Sequence, residues 1–340
     1  MKLSDFDYDL PKSFIAQDPV TPRDSSKMMV FDTSTGKVEH KVFRDVLNYL
    51  GSNDVLVANR SKVIKARINF SNNGKFFEIF LLKKIGEKTY ECIVKPGKKF
   101  QVGSDFMMID GSNAFVVDVK DDGVRVIRFD TKDDPEELGR APFPPYIDHS
   151  SSSMDDYQTV YAKEKGSVAS PTAGLHFTDD LVTKLRDKGV MFEKVLLHIG
   201  LGTFQPVKTE NILDHKMHTE FCELEGSSAI NLNEALSDKK RIVAVGTTSV
   251  RVLESSFKDG KLIPFSGETD IFIYPGYEWK AVDALMTNFH LPKSTLIMLV
   301  ASFLEHKGVK NGTKRVLELY EEAKEKMYRF YSFGDSMFIY

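Results

Sequence analysis

The sequence predicts an α/β protein whose body is interrupted by an inserted, smaller antiparallel β domain. Two patterns and the chain length predict this architecture. Apolar runs typical of buried strands alternate with helix-like runs in both flanks, which indicates a sheet covered by helices. Between the flanks, residues 66–142 consist of short strands separated by turn signals, which favours a small antiparallel barrel or sandwich. A length of 340 residues is consistent with about two domains.

The predicted domain boundaries lie where the sequence pattern changes from alternating strands and helices to short strands separated by turns. We expect one discontinuous domain of residues 1–65 and 143–340, and an inserted domain of residues 66–142. The insert contains runs such as FFEIFLLKK, GEKTYECIVK and VRVIRFD, and its turns carry the signals NNG, PG and DG. The proline-rich segment APFPPYI then closes the insert.

The flanks predict the elements of the body in chain order. A buried strand within residues 55–68 leads into the insert. After the insert, a helix begins at the N-cap Thr178 and ends before Gly189. The remaining predicted elements are a strand in VMFEKVLLHIGLGTF, a helix in NLNEALSDKK, a strand in RIVAVGTT, a helix in SVRVLESSF, a strand in DIFIYPG, and helices over 294–307 and 313–330.

The composition argues against disulfide-rich, secreted and membrane-spanning classes of protein. The two cysteines, Cys92 and Cys222, cannot form a disulfide framework or a four-thiolate zinc site. The acidic N-terminal segment contains Pro11 and Pro19 and so differs from a signal peptide. No apolar run reaches the ~18 residues of a membrane span. We therefore expect a soluble, cytoplasmic protein that does not enter a membrane.

The net charge of −3 conceals an uneven distribution. Residues 60–100 contain eleven Lys and Arg against three Asp and Glu, whereas residues 101–145 contain five against ten. A Lys-rich stretch is as often a solvated face as a binding surface. The net charge of the chain therefore does not exclude a nucleic-acid partner.

Two glycine-containing segments lie next to predicted elements, the first before a helix and the second after a strand. GSVASPTAGLHFT (166–178) runs into a helix, so its backbone amides either cradle an anion, with His176 nearby, or form a tight connection capped by Thr178. HIGLGTF (198–204) lacks both the third glycine of the dinucleotide fingerprint and the acidic residue of a methyltransferase loop. A tight turn at Gly200 and Gly202 is therefore favoured over a Rossmann loop.

The segment DHKMHTE offers His215, His218 and Glu220, which superficially resemble a metal-ligand set. Zincins instead place two histidines four residues apart with the glutamate between them. A His–Glu pair that orients a substrate is favoured over a metal, and a solvated surface segment is the plain alternative.

Polar side chains also gather where predicted strands meet helices. VAVGTTSVRVLE places Thr247, Thr248 and Ser249 at the end of a buried strand, where α/β proteins bind ligands. Arg251 lies in the first helical turn, where a cation is unfavourable, and this favours an anionic partner. The same logic selects further candidates at element ends and in the aromatic C-terminus, namely Asp270, Asn288, His290, Arg329 and Asp335.

Taken in order, these motifs resemble the S-adenosylmethionine:tRNA ribosyltransferase-isomerases, enzymes of queuosine biosynthesis. The resemblance extends along the whole chain, through DFDYDLP, PPYI, YQTVYA, GSVASPTAGLHFT, LHIGLGTFQPV, KMHTE, VAVGTTSVRVLE, GETDIFIYPG, TNFHLPKSTLIMLV and YSFGD. It implies a barrel-like α/β body with an inserted β-barrel. The sequence departs from the family pattern at Arg60, Ser61, Lys65, Ser170 and Ser336.

The resemblance implies that S-adenosylmethionine is a substrate whose ribosyl moiety is transferred to 7-aminomethyl-7-deazaguanine at the tRNA wobble position. Isomerisation then gives epoxyqueuosine-tRNA, with release of adenine and methionine and without a metal. We expect the protein to act as a monomer. Such chemistry needs a base, an acid and a site for the methionine carboxylate.

Residue types suggest how these roles are divided. The expected acid–base and orienting residues are His176, His198, Glu220, Asp270 and His290, because imidazole titrates near neutral pH and carboxylates orient it. The expected substrate-binding residues are Ser167, Thr172, Gly200, Gly202, Thr247, Thr248, Ser249, Arg251 and Asn288. The expected tRNA-binding residues are Arg60, Lys62, Lys95, Lys98, Lys99 and Arg329.

Three other functions remain open from the residues alone. A methyltransferase would share the cofactor but release S-adenosylhomocysteine rather than adenine and methionine. A metal-dependent hydrolase would lose activity with a chelator. A non-catalytic RNA-binding protein would need no buried polar cluster in the body.

Overall fold

The computed structural model describes residues 1–72, 74–120, 123–147, 151–200, 202 and 207–340. Within these residues, no helix is both long enough and apolar enough to cross a membrane. The segment HIGLGTF lies partly outside them, at positions 201, 203 and 204.

A nine-stranded sheet forms the centre of the described body. Its strands are β1 (Lys27–Phe31), β2 (Val38–Val42), β3 (Asp54–Asn59), β12 (Met191–Leu197), β13 (Glu220–Leu224), β14 (Arg241–Val245), β17 (Phe265–Thr269), β18 (Ala284–Asn288) and β19 (Ser336–Ile339). They run in the order β17-β13-β12-β3-β14-β18-β19-β1-β2. The neighbours β12, β3, β14 and β18 pair in parallel, so their carboxyl ends share one edge of the sheet.

The second sheet has six antiparallel strands among the described residues, in the order β5-β6-β7-β10-β9-β8. They are β5 (Arg67–Asn72), β6 (Lys75–Gly86), β7 (Thr89–Lys95), β8 (Asp105–Met107), β9 (Asn113–Val119) and β10 (Arg125–Phe129). Phe70 on one end strand and Phe106 on the other have ring centroids 6.0 Å apart. The sheet therefore curls until its two end strands meet through their side chains, as in a nearly closed barrel.

Two short ladders complete the strands. β4 (Ser61–Val63) pairs in parallel with β11 (Glu164–Ser167), which joins the chain entering the six-stranded sheet to the chain leaving it. β15 (Phe257–Lys258) and β16 (Lys261–Leu262) form a small hairpin.

Helices cover both faces of the large sheet. They are α1 (Asp179–Asp187), α2 (Gly226–Ser237), α3 (Thr247–Ser256), α4 (Thr295–His306) and α5 (Gly312–Glu325). α2 to α5 supply the core on one face, whereas α1 packs with the turn of residues 43–48 on the other. The expected caps are present, since Thr178 Oγ1 accepts the amide of Leu181 at 3.1 Å and Ser294 Oγ accepts that of Ile297 at 3.4 Å.

The predicted fold class is confirmed: a mixed α/β protein with a large sheet and an antiparallel, barrel-like six-stranded sheet. The division into residues 66–142 and the remainder stays a prediction. One predicted strand, DIFIYPG, is wrong in position, because the strand ends at Thr269 and the following residues pair with no neighbour in the described structure. These residues are held by side-chain packing instead, as the 3% exposure of Ile273 shows.

Candidate functional site

A cavity with about 730 Å³ of empty space lies beside the carboxyl ends of β14 and β18. This figure includes space that is open to solvent, and the position of the cavity is where α/β sheets bind ligands. The walls are formed by segments 169–173, 246–248, 287–291 and 331–332, together with Tyr146, Tyr157, Ile199, Ser294 and Leu296. No Asp, Glu, Lys or Arg is among the described residues that line it.

Close backbone packing forms one wall of the cavity at Gly246. This residue has φ +83° and precedes α3, and a Cβ atom there would lie 3.3 Å from that of Ala173. A left-handed backbone with this little space requires glycine. The first turn of α3 is thereby placed against the cavity, and its amides carry the positive end of the helix dipole.

Three hydroxyl groups in the cavity wall are buried and make no hydrogen bond within the described structure. They are Tyr157 Oη, Ser170 Oγ and Thr248 Oγ1. A buried polar group without a partner costs on the order of 1–3 kcal/mol. These hydroxyls are therefore available to a ligand or to water in the cavity.

A hydrogen-bonded relay runs from the cavity into the core. The Thr172 hydroxyl donates to Asn288 Oδ1 at 2.8 Å, and the Asn288 amide lies 3.4 Å from His176 Nε2. His176 Nδ1 lies 2.7 Å from the hydroxyl of Ser26. If the amide of Asn288 donates to Nε2, the imidazole proton is on Nδ1 and is donated to Ser26. His176 therefore fixes which way Asn288 presents its amide.

His176 does not line the cavity. It stacks on Phe43 at 4.9 Å and belongs instead to a smaller pocket that also includes Arg23 and Arg329. Burial lowers the pKa of His176 to about 3, and the two nearby arginines act in the same direction. The imidazole is therefore neutral at pH 7.

His290 does line the cavity. Its Nε2 lies 2.8 Å from the hydroxyl of Thr287, and its backbone amide donates to the hydroxyl of Tyr320 at 3.1 Å. The Tyr8 hydroxyl donates to its carbonyl. Burial lowers the pKa of His290 to about 3, so this imidazole is also neutral at pH 7.

Glu220 and Arg251 form a buried ion pair outside the cavity lining. The other carboxylate oxygen of Glu220 accepts the amide of Gly200 at 2.9 Å, and Arg251 also donates to the carbonyl of Thr269 at 3.3 Å. Arg251 thus has an anionic partner inside the protein. Ser249, expected beside it, donates back to the carbonyl of Val245 at 2.8 Å.

His198 and Ser167 hold the neighbouring segment in place. The His198 ring lies 2.9 Å from the hydroxyl of Ser61 and packs on Gly166, where an added Cβ would meet it at 2.8 Å. Burial lowers the pKa of His198, and Arg60 contributes in the same direction. Ser167 Oγ accepts the amide of Ile199 at 2.9 Å. Both residues support the wall at Ile199 without lining the cavity.

The remaining predicted site residues are spread more widely. Asp270 is exposed, and Gly202 lies against the ring of His218. Within the described ranges, no group of three or more His, Cys, Asp and Glu side chains is arranged to hold a metal ion. The structure thus brings Thr172, Thr247, Thr248, Asn288 and His290 together in the cavity, but not His176, His198, Glu220, Arg251 or Asp270.

The predicted tRNA-binding residues occupy different environments. Arg60 is 6% exposed and holds the carboxylates of Glu223 and Glu225 at 2.9 and 2.8 Å. Lys98 and Lys99 are exposed on the turn that follows β7, whereas Lys95 lies 3.5 Å from Glu78. Lys62 is half-buried on β4, and Arg329 donates to the carbonyl of Asp18 at 3.1 Å.

The cavity residues that sequence reasoning did not select include Tyr146, Ser170, Tyr331 and Ser332. Tyr146 lies in PPYI and Tyr331 and Ser332 in YSFGD, two motifs that carry the resemblance but suggested no role for these side chains. A proline-flanked tyrosine and a cluster of aromatic residues are weak signals, because both usually mark ordinary packing. Ser170 offered a further signal, as a departure from the resembled pattern.

Comparisons with known proteins agree along the whole chain. The family model described as "Queuosine biosynthesis protein" matches residues 3–339. A relative from Thermosipho africanus, named S-adenosylmethionine:tRNA ribosyltransferase-isomerase, is 48% identical over 342 residues, covering 100% of both chains. A relative of the same name from Fusobacterium nucleatum is 48% identical, covering 99% of this chain and 97% of its own.

A solved structure leads to the same family. The crystal structure of S-adenosylmethionine tRNA ribosyltransferase from Thermotoga maritima has a TM-score of 0.57 and 39% sequence identity, covering 99% of this chain and 100% of that one. With a family match over nearly the full length and relatives close to half identical, the chain belongs to the queuosine biosynthesis protein family.

Proposed function

We propose that this chain transfers and isomerises the ribosyl moiety of S-adenosylmethionine onto 7-aminomethyl-7-deazaguanine in tRNA. The products are epoxyqueuosine-tRNA, adenine and methionine. The observation that carries this proposal is the full-length similarity to relatives named S-adenosylmethionine:tRNA ribosyltransferase-isomerase, at 47–49% identity. The reaction takes place in the cytoplasm on a tRNA substrate, with the protein as a monomer.

The cavity at β14 and β18 is the proposed reaction site. It combines three buried hydroxyls without a protein partner and the first turn of a helix in one place. The methionine carboxylate is placed at Thr247 and Thr248, where the helix dipole of α3 favours a negative charge. Arg251 has no part in binding this carboxylate, because Glu220 already neutralises it.

His290 is the proposed acid–base residue of the cavity. The sulfonium of S-adenosylmethionine acidifies the adjacent ribose methylene, so the reaction begins with proton removal. His290 is the histidine that lines the cavity, and its bond to Thr287 fixes its orientation. His176 acts indirectly, by holding Asn288 and Thr172 in the cavity wall.

The six-stranded sheet is the proposed tRNA-binding region. We assign it to an inserted domain of residues 66–142, although its apolar core also includes Ile64 and Val168 from the flanking segments. The exposed Lys98 and Lys99 extend from this sheet and are available for phosphate contacts.

One assay tests the proposed function. The protein is incubated with S-adenosylmethionine and tRNA that carries the deazaguanine precursor, and the small products are separated. We expect adenine and methionine in equal amounts, together with a ribosyl-sized mass increase of the tRNA base. Formation of S-adenosylhomocysteine would indicate a methyltransferase, and the absence of adenine would contradict ribosyl transfer.

A further inference from the structure

Two tyrosines form an aromatic wall of the cavity that the catalytic roles above leave unused. The rings of Tyr146 and Tyr331 stack at 4.6 Å with an interplanar angle of 24°, and both residues line the cavity. The hydroxyl of Tyr146 lies 2.7 Å from that of Ser332, which also lines the cavity. The stacked pair thus places aromatic surface in the cavity wall, with each ring braced by the other.

Tyr331 is held in place against its own backbone preference. It has φ +70°, a left-handed conformation that bulky residues rarely adopt. Its amide donates to the carbonyl of Phe289 at 3.1 Å, and its carbonyl accepts the amide of Gly334 at 2.9 Å. These backbone hydrogen bonds hold Tyr331 in the cavity wall. Residues in such rarely populated backbone conformations are found most often at functional sites.

The polar groups beside this wall are neutral. Ser170 is 4% exposed, and its hydroxyl has no partner within the described structure. The Asn288 amide and the Thr172 hydroxyl lie in the same cavity, whose described lining includes no carboxylate, ammonium or guanidinium group. Such a lining suits a planar, uncharged ligand that offers hydrogen-bonding groups around its edge.

We propose that the Tyr146–Tyr331 wall and Ser170 form a subsite for a purine-type base and its ribose. A purine or 7-deazapurine ring stacks on aromatic surface without needing a charge, and base stacking on aromatic side chains is a strong, sequence-tolerant interaction. Ser170 donates or accepts one hydrogen bond at the edge of this base. The inference rests on the proposed function, which supplies two bases of this chemistry: the adenine of S-adenosylmethionine and the deazaguanine of tRNA.

Binding of two probes to the full-length protein tests the subsite directly. Adenosine and 7-aminomethyl-7-deazaguanine are titrated by calorimetry against the wild type and against Tyr146→Leu, Tyr331→Leu and Ser170→Ala. We expect each leucine variant to weaken at least one probe by about tenfold or more, and Ser170→Ala to weaken the same probe by about three- to tenfold. Tyr331→Phe retains the ring and remains within about twofold.

The matched control is Tyr274→Leu, which changes a half-buried tyrosine outside the cavity whose ring packs at 50° to that of Phe272. This variant binds both probes as the wild type does. Circular dichroism and thermal unfolding establish that each variant is folded. A weakened affinity for adenosine, with a raised KM for S-adenosylmethionine, assigns the subsite to adenine. A weakened affinity for the deazaguanine, with a raised KM for tRNA, assigns it to the tRNA base.

The inference is overturned if folded Tyr146→Leu and Tyr331→Leu bind both probes within twofold of the wild type, or if the wild type binds neither. This outcome is separate from the fate of the proposed function, which is decided by adenine release from the wild type. A wild type that releases adenine while its tyrosine variants bind normally would retain the function and exclude the subsite.

Discussion

Arg251 and Glu220 neutralise each other in the interior of the protein, beside the cavity rather than in it. The arginine side chain is 7% exposed and the glutamate side chain 5%. Glu220 also accepts the amide of Gly200, so the pair connects α3 and β13 to the segment that follows β12. Because α3 begins at Thr247, Arg251 lies in its second turn and not in the first as the sequence predicted, and a carboxylate on a neighbouring strand balances its charge.

This relationship predicts a loss of stability when one partner is removed. Arg251→Met leaves Glu220 buried without its counter-charge, which costs on the order of 3–5 kcal/mol. The double variant Arg251→Met/Glu220→Leu regains much of that loss, because neither charge is then buried alone. Urea unfolding of the two variants and the wild type measures the difference.

A different result would assign Arg251 to substrate binding instead of to the stability of the fold. If Arg251→Met keeps the wild-type stability but raises KM for S-adenosylmethionine and not for its decarboxylated analogue, the arginine binds the methionine carboxylate. That result would restore the interpretation based on the sequence alone.

A second prediction concerns His290. Glutamine can replace the Nε2 contact with Thr287 but cannot transfer a proton at that position. We expect His290→Gln to reduce kcat by about 10²–10⁴-fold, the usual contribution of general acid–base catalysis. Single-turnover adenine release measures this loss, and His306→Gln, at the C-terminal end of α4 and outside the cavity lining, serves as the control. A rate within threefold of the wild type would remove His290 from the chemistry.

The structure brings some of the predicted site residues into the cavity and leaves others outside it, for a physical reason. Thr247, Thr248 and Asn288 lie at the ends of parallel strands or at the start of a helix, and the sheet brings such ends to one edge. His176 and Arg251 have the same local signals. Their side chains nevertheless lie behind the cavity wall and not in the cavity lining. Local patterns do not determine that direction.

The same argument explains why the fold was easier to predict than the site. Hydrophobic periodicity and caps such as Thr178 act within a few residues, so they are visible in the chain. The contact between Tyr146 and Tyr331 joins positions 185 residues apart, the difference between the two residue numbers. No local sequence pattern could therefore predict this contact.

A third prediction concerns the exposed lysines after β7. Lys98→Glu/Lys99→Glu should weaken tRNA binding and reduce the slope of log affinity against log salt by about 1–2, since each lost phosphate contact contributes roughly 0.7–0.9. Filter binding from 50 to 200 mM salt measures the slope. The control is Lys258→Glu/Lys310→Glu, which reverses two exposed charges elsewhere. Equal slopes for the wild type and Lys98→Glu/Lys99→Glu would place the phosphate contacts on another surface.

A fourth prediction follows from the two buried neutral histidines. In the folded protein the pKa values of His176 and His290 are about 3, against about 6.5 for an unfolded chain. Between these values the unfolded state binds more protons, so stability is fully present above about pH 6.5 and falls as the pH decreases towards 3. The limiting slope is about 1.4 kcal/mol per pH unit for each histidine.

Differences between variants isolate this contribution from that of the carboxylates, which also titrate in acid. Urea unfolding of the wild type, His176→Gln and His290→Gln is compared at pH 7.5, 6 and 5. Each variant is expected to be less stable than the wild type at pH 7.5, because a core contact is altered, yet to lose less stability between pH 6 and 5. The reason is that glutamine takes up no proton on unfolding. If the wild type and both variants lose equal stability over that interval, the two histidines are not held neutral in the folded protein.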